Sequence, residues 1–282
     1  MMRKTLTAAA VALSLTVTPV ANAQMSSSPS GSSIAPGSSA PDTGAVSGPI
    51  FRAVTGIGAD EKSVNFSWRS TYTGDEVVRI HPVSNPDAVI EVAGREADYG
   101  AIAYLSRFAE VSDLTPGETY SYQIGSDAGG FSAPESFTID DGDDSWKFVA
   151  VSDAQIGVNL KVSEQGATWR TTAGNAAAAN PDASLFVSLG DQVEGWGDLI
   201  GRYGQYNEFF SAPQLRTYRF AAIEGNHETY PSGASTRHFK EHWNLPNEQG
   251  DTSNYFFEQN NALFIALNSN RKDDAGLAEQ AQ

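Results

Sequence analysis

Three short segments collect the side chains best suited to chemistry: Ser152-Asp153-Ala154-Gln155, Gly190-Asp191-Gln192-Val193-Glu194 and Gly225-Asn226-His227-Glu228. Together they offer carboxylates, carboxamides and one imidazole, His227. Hydrolysing a phosphate ester near neutral pH requires three things: charge on the phosphoryl oxygens must be offset, a water ionised and the leaving oxygen assisted. Two metal ions about 3.5–4 Å apart can do most of this. They need oxygen or nitrogen donors from several loops and one carboxylate shared between them. Asp191, at a tight Gly-Asp turn, suits the shared position, with Asp153 on the first metal and the Asn226 amide oxygen on the second.

Each segment follows a run that reads as a buried strand: Trp146 to Val151, Ser184 to Leu189 and Tyr218 to Ile223. Helical stretches are expected between them, around Leu160 to Ala179 and Leu199 to Ala212, with a further helix over Ser235 to Trp243. Strands separated by helices imply a largely parallel sheet, whose carboxyl ends gather the functional loops. Asn254 to Glu258 and Ala262 to Asn268 form a further strand pair. Asp274 to Gln282 reads as the start of a helix.

Upstream the texture differs. Ser63 to Trp68 alternates apolar and polar residues, and Glu76 to Ile80 and Ala103 to Phe108 are further strands between turn signals at Thr73-Gly74-Asp75 and Asn85-Pro86-Asp87. This is the pattern of a β-sandwich, expected over residues 48–139. Asp140 to Ser145 is a Gly- and Asp-rich hinge before an α/β region at 146–282. Met1 to Ala23 has the charged start, apolar middle and small-x-small ending of a secretory signal peptide. Residues 24–47 are Ser-, Pro- and Gly-rich and too poor in large apolar side chains to bury a core. The expectation is an exported protein, secreted or at the cell envelope, with no integral membrane span.

Composition narrows the chemistry further. There are 34 acidic and 18 basic residues, a formal charge of −16, which disfavours nucleic acid as a partner. A small phosphate ester remains compatible where bound metal outweighs the global field. The absence of cysteine excludes disulfides, thiolate metal sites and cysteine nucleophiles.

The three motifs, in this order and each after an apolar strand, resemble the calcineurin-like metallophosphoesterases, including the purple acid phosphatases. Leu114-Thr115-Pro116-Gly117-Glu118-Thr119-Tyr120-Ser121-Tyr122 resembles the corner and strand of a fibronectin type III module, which precedes the catalytic domain in such enzymes. There the first tyrosine, here Tyr120, closes the corner through its hydroxyl. The resemblance implies a fibronectin III-like β-sandwich followed by the first half of a metallophosphoesterase αββα sandwich. It also implies two metal ions (Fe, Mn, Zn, Mg or Ca) on Asp153, Gln155, Asp191 and Asn226, with His227 contacting the phosphate or assisting the leaving group. The implied reaction is phosphate monoester hydrolysis by a metal-bridging hydroxide, with phosphodiesters or nucleotides as the alternative substrates.

This sequence departs from the family pattern in three ways. Gln155 stands where many relatives have histidine, which favours harder ions or a role outside the metal shell. Glu194 stands where purple acid phosphatases have a metal-bound tyrosine, and relatives with an acid there use it to orient the histidine, hence an expected Glu194–His227 pair. The later histidine motifs are absent, so the chain reads as a fragment with weak activity at most, or as a non-catalytic envelope protein with a vestigial phosphatase half. A sheet stopped there is expected to leave one apolar face bare. His238 and His242 have zinc-like i, i+4 spacing but lack the accompanying glutamate and are expected to pack. Trp196 and Tyr203 are candidates for a pocket wall, and Asn268 and Asn270 fall at a strand end near the site without an assigned role.

Overall fold

The computed structural model describes residues 49–97, 104–142, 145–195, 199–230, 237–250 and 252–281. The expected signal sequence, the Ser/Pro/Gly-rich segment and Trp196 lie outside these residues. The protein is mostly β-sheet with few helices, and Val46–Gln282 is one unit.

The first nine strands are β1 (Ile50–Ile57), β2 (Val64–Ser70), β3 (Val77–Pro82), β4 (Ile90–Ala93), β5 (Arg95–Glu96), β6 (Leu105–Val111), β7 (Thr119–Ser126), β8 (Gly130–Phe131) and β9 (Glu135–Thr138). One sheet runs β1-β2-β6-β5 and a second runs β4-β3-β7-β8, with β9 also on β7. Alternating side chains from both layers, among them Phe66, Trp68, Ile80, Tyr122, Ile124 and Phe137, make the core between them. The Tyr120 hydroxyl accepts the Thr115 N–H at 2.9 Å, locking the turn before β7. Tyr120 is at once a corner-closing hydrogen bonder and a core residue.

The second half contributes β10 (Lys147–Val151), α1 (Val162–Ala179), β11 (Ala183–Ser188), α2 (Leu199–Phe210), α3 (Gln214–Thr217), β12 (Arg219–Ala222), α4 (Arg237–Lys240), β13 (Tyr255–Gln259), β14 (Ala262–Ala266) and α5 (Asp274–Gln280). β10, β11 and β12 are parallel neighbours. β12 then pairs in parallel with β1, so one seven-stranded sheet, β10-β11-β12-β1-β2-β6-β5, contains strands from both halves of the described chain. Hydrogen bonds reinforce this seam. The Thr55 and Tyr122 hydroxyls both donate to the Arg216 carbonyl at 2.9 Å, and Arg216 pairs with Glu135 at 2.8 Å.

Both faces of the inner parallel strands β11 and β12 are buried, while edge strand β10 keeps Phe148 exposed on one face. Phe186, Phe220 and Ala222 face α1 and α2, where Trp169 stacks on Phe209 and donates Nε1–H to its carbonyl. Leu185, Val187 and Ala221 face the β13–β14 hairpin through Tyr255, Phe257 and Ala266. The face expected to be bare is covered over β11 and β12 by the chain's own hairpin, while Phe148 on β10 and the hairpin's outer residues Leu263 and Ile265 are exposed.

The helix expected over Ser235–Trp243 is shorter: within the described residues it covers Arg237–Lys240. Tertiary bonds claim the backbone beyond it. The His242 carbonyl accepts the Ser67 hydroxyl at 2.6 Å and the Asn244 carbonyl accepts Asn65 Nδ2–H at 2.9 Å, both from β2.

Candidate functional site

The three motifs lie at the carboxyl ends of three adjacent strands. Val151 aligns with Ser188, and Ser188 with Ala222. Ladder bonds continue one residue further, from Leu189 N–H to the Val151 carbonyl and from Ile223 N–H to the Ser188 carbonyl, both 2.8 Å. Beyond that point the loops bond to one another. The Asp153 N–H donates to the Gly190 carbonyl (3.2 Å), Gln155 N–H to the Asp191 carbonyl (2.8 Å) and Glu194 N–H to the Ile156 carbonyl (2.9 Å).

Backbone strain concentrates here. Asp153, Asp191 and Gln155 adopt φ of 54°, 51° and 43°, a region costly for residues with side chains and persistent only where the surroundings enforce it. Gly190 has φ 104°, and a Cβ on it would lie 2.8 Å from the Gly225 Cα, so the second and third of these tight turns touch back to back. Asp191 Oδ1 accepts the His227 N–H at 3.1 Å, which joins the second motif to the third.

His227 is held at both ring nitrogens. Nδ1–H donates to the Glu194 backbone carbonyl at 2.8 Å, while the Glu194 carboxylate stands 3.6 Å away. That donation leaves Nε2 of the neutral ring as an acceptor, and it faces the Gln155 amide nitrogen at 3.0 Å. Glu194 thus meets the imidazole chiefly through its main chain, and Gln155 meets it through the amide that the sequence offers to a metal. The Tyr230 ring stands edge-on to the imidazole with centroids 4.9 Å apart.

Glu228, given no role from sequence, is buried beneath these loops. Its Oε1 accepts the N–H groups of Gln192 (2.8 Å) and Val193 (3.3 Å), and its Oε2 those of Gly225 (2.8 Å) and Asp191 (3.0 Å). Burial pushes this carboxyl up to about 7 and the Asp191 charge adds to the rise, while the backbone N–H groups act in the opposite sense. Glu224 is likewise raised to about 7 by burial. Asn268 Nδ2–H donates to Glu224 at 2.7 Å and Asn270 Nδ2–H to the Gly225 carbonyl at 3.1 Å, so the chain leaving β14 braces the third motif. Glu228 closes the third motif in the sequence, but nothing in the sequence gives it a role or marks Glu224; the role of Glu228 comes from burial beside backbone N–H groups of two loops.

The remaining candidates lie elsewhere. His242 is buried with Nδ1–H donating to the His238 carbonyl (2.7 Å) and Nε2 accepting from Arg52 Nη1 (2.9 Å), which occupies both nitrogens. Tyr203 covers the Arg52 guanidinium at 4.1 Å, at the seam between the two halves.

The donor set does not complete a two-metal centre. Among the described residues no group of three or more His, Cys, Asp or Glu side chains stands where it could hold a metal ion. Asp153, Asp191 and Asn226 supply oxygens, though Asp153 Oδ2 also accepts the Ser152 hydroxyl, and Gln155, whose amide nitrogen is held by His227, keeps only its Oε1 to offer. Also among the described residues, no helix is long and apolar enough to cross a membrane.

Residues 52–139 match the family model described as Purple acid Phosphatase, N-terminal domain. No curated protein matches the sequence. A purple acid phosphatase from seeds of yellow lupin (Lupinus luteus) has a similar structure, with a TM-score of 0.59 at 16% identity over 75% of this chain. The chain spans 43% of the lupin enzyme's length. The sensor domain of the anti-sigma factor RsgI4 of Pseudobacteroides cellulosolvens is 20% identical over 34% of this chain and 89% of its own, but its TM-score of 0.25 carries no weight. Residues 52–139 thus match the purple acid phosphatase N-terminal domain, and the fold of the chain is similar to that of the lupin enzyme.

Proposed function

We propose that the protein is an exported phosphoesterase of the purple acid phosphatase-like kind, acting on phosphate monoesters. The observation that carries this reading is the convergence of Asp153, Asp191 and His227 on three adjacent, mutually bonded strand-end loops. In sites of this kind metal ions neutralise phosphoryl charge and ionise water. Asp153, Asp191 and Asn226 are the residues that offer oxygens for such ions, and they form an incomplete set by themselves.

The chain's own contribution centres on His227. The Glu194 carbonyl fixes its Nδ1–H, so Nε2 is the atom available to exchange a proton with a substrate oxygen. Gln155 holds that atom until substrate arrives. Protonated, the ring would donate from Nε2 to a leaving oxygen or a phosphoryl oxygen.

The test is hydrolysis of an aryl phosphate by the full-length protein with Mn, Fe, Zn, Mg or Ca supplied singly. The expected result is metal-dependent turnover that Asp191→Asn abolishes. A second reading, a non-catalytic envelope-binding protein, is favoured by the incomplete donor set among the described residues. Absence of hydrolysis of monoesters and diesters with every metal would reject the enzyme and leave that reading.

A further inference from the structure

The loops carrying Asp191 and Asn226 have no direct ladder beyond the Ile223–Ser188 bond, and strained turns do not hold their own geometry. Asp191 Oδ1 on the His227 N–H and His227 Nδ1–H on the Glu194 carbonyl link them, and one further side chain spans both with four bonds. Glu228 is 1% exposed, and its two carboxylate oxygens accept four backbone N–H groups, three from the second motif and one from the third. Each oxygen serves the second motif: Oε1 takes Gln192 and Val193, and Oε2 takes Asp191 together with Gly225.

We propose that Glu228 is a positioning residue whose buried carboxylate clamps the Gly190–Val193 loop to the Gly225 loop and thereby sets where Asp191, Asn226 and His227 stand. Three consequences follow from its geometry. First, Oε2 bridges the N–H groups of Asp191 and Gly225, so one atom contacts both motifs at their strand ends. Second, with the Asp191 main chain fixed in this way, its Oδ1 can accept the His227 N–H, so the clamp reaches the imidazole through Asp191. Third, these N–H groups are spent on a carboxylate below the loops, which leaves the Asp191 side chain as the charged group of this turn that can serve chemistry above them. Asn270 adds a brace on the Gly225 carbonyl, on the opposite side of the same peptide chain.

Neither usual replacement reproduces the clamp. Glutamine keeps one acceptor oxygen and turns the other position into a donor, which would oppose two of the four N–H groups. Aspartate keeps the charge but is one methylene shorter and cannot span both loops. The role rests on the site reading given above, but it can be measured without turnover.

The experiment is residue-resolved amide hydrogen exchange by NMR on the full chain, with the imidazole 15N shifts of His227 recorded alongside. In the wild-type protein the amides of Asp191, Gln192 and Gly225 should be protected like strand amides, and His227 should show the Nδ1–H tautomer. In Glu228→Gln at least two of the four clamped amides should exchange tenfold or more faster. The His227 tautomer signal should change, and the amides of Val187 and Ile223 should keep their protection. Wild-type amides at Asp191 and Gly225 that exchange like open loops would overturn the proposal, even where the variant fails to fold. So would a variant whose clamped amides and imidazole signal match the wild type, or one whose loss of protection is uniform across the sheet. Protected clamp amides in a protein that hydrolyses no ester would support the clamp while rejecting the phosphoesterase.

Discussion

Lowering the pH below neutrality should destabilise the seam between the two halves through one residue, His242. Its Nε2 accepts from the always-cationic Arg52 and its Nδ1–H donates to the His238 carbonyl, so the ring is neutral in the fold. It is sandwiched by Tyr206 and Phe210 at centroid distances of 4.2 and 4.9 Å. Burial, first, and then the nearby Arg69 and Arg52 charges push its pKa well below 6.5. A depressed histidine is fully stabilising above its unfolded value and loses that contribution as pH falls, because the unfolded chain takes up the proton more readily. While the folded ring stays neutral, the loss grows by at most about 1.4 kcal/mol per pH unit below 6.5, a ceiling of about 2 kcal/mol at pH 5. At 2–4 °C per kcal/mol this lowers Tm by about 4–8 °C. Glu224 and Glu228 act in the reverse sense. Their folded values of about 7 exceed 4.5, so their contribution is complete below 4.5 and is lost as pH rises through 7. The clean quantity is therefore the difference between wild type and His242→Gln, in which the glutamate effects cancel. Calorimetric Tm from pH 8 to pH 5 should show wild type losing ground on the variant as pH falls. Parallel curves would refute a neutral, buried His242.

Tyr122→Phe removes a hydroxyl from the Arg216 carbonyl across the seam and should cost about 1 kcal/mol in urea unfolding, with Thr55 retaining its own bond to that carbonyl. Gly190→Ala adds a Cβ at a backbone angle hostile to alanine and against the Gly225 Cα; it should destabilise by at least about 1–3 kcal/mol and lower phosphatase turnover more than a surface glycine change does. Trp169→Ala empties the α1–α2 contact, where the ring stacks on Phe209 at 5.2 Å and bonds its carbonyl; thermal unfolding should show a loss of about 3–5 kcal/mol.

The sequence by itself determined the strands before each motif, the helices between them and the β-rich first half. Those features depend on local periodicity and turn residues, which one segment carries alone. It also picked out Asp153, Asp191, Asn226 and His227, because side-chain chemistry and strand-end position are written locally. Only the tertiary structure decided how these residues connect. Glu228 is legible as the last residue of the third motif, but its role emerges only where four N–H groups from two loops converge on it. The engagement of Gln155 with His227, the main-chain contact of Glu194 and the enclosure of His242 all involve partners that the fold brings together from distant positions. The hinge is legible as composition, yet one sheet contains strands from both halves because β12 finds β1, more than 160 residues back in the chain. Pairing of that kind is settled by burial on both faces of the assembled sheet, which no single segment can specify.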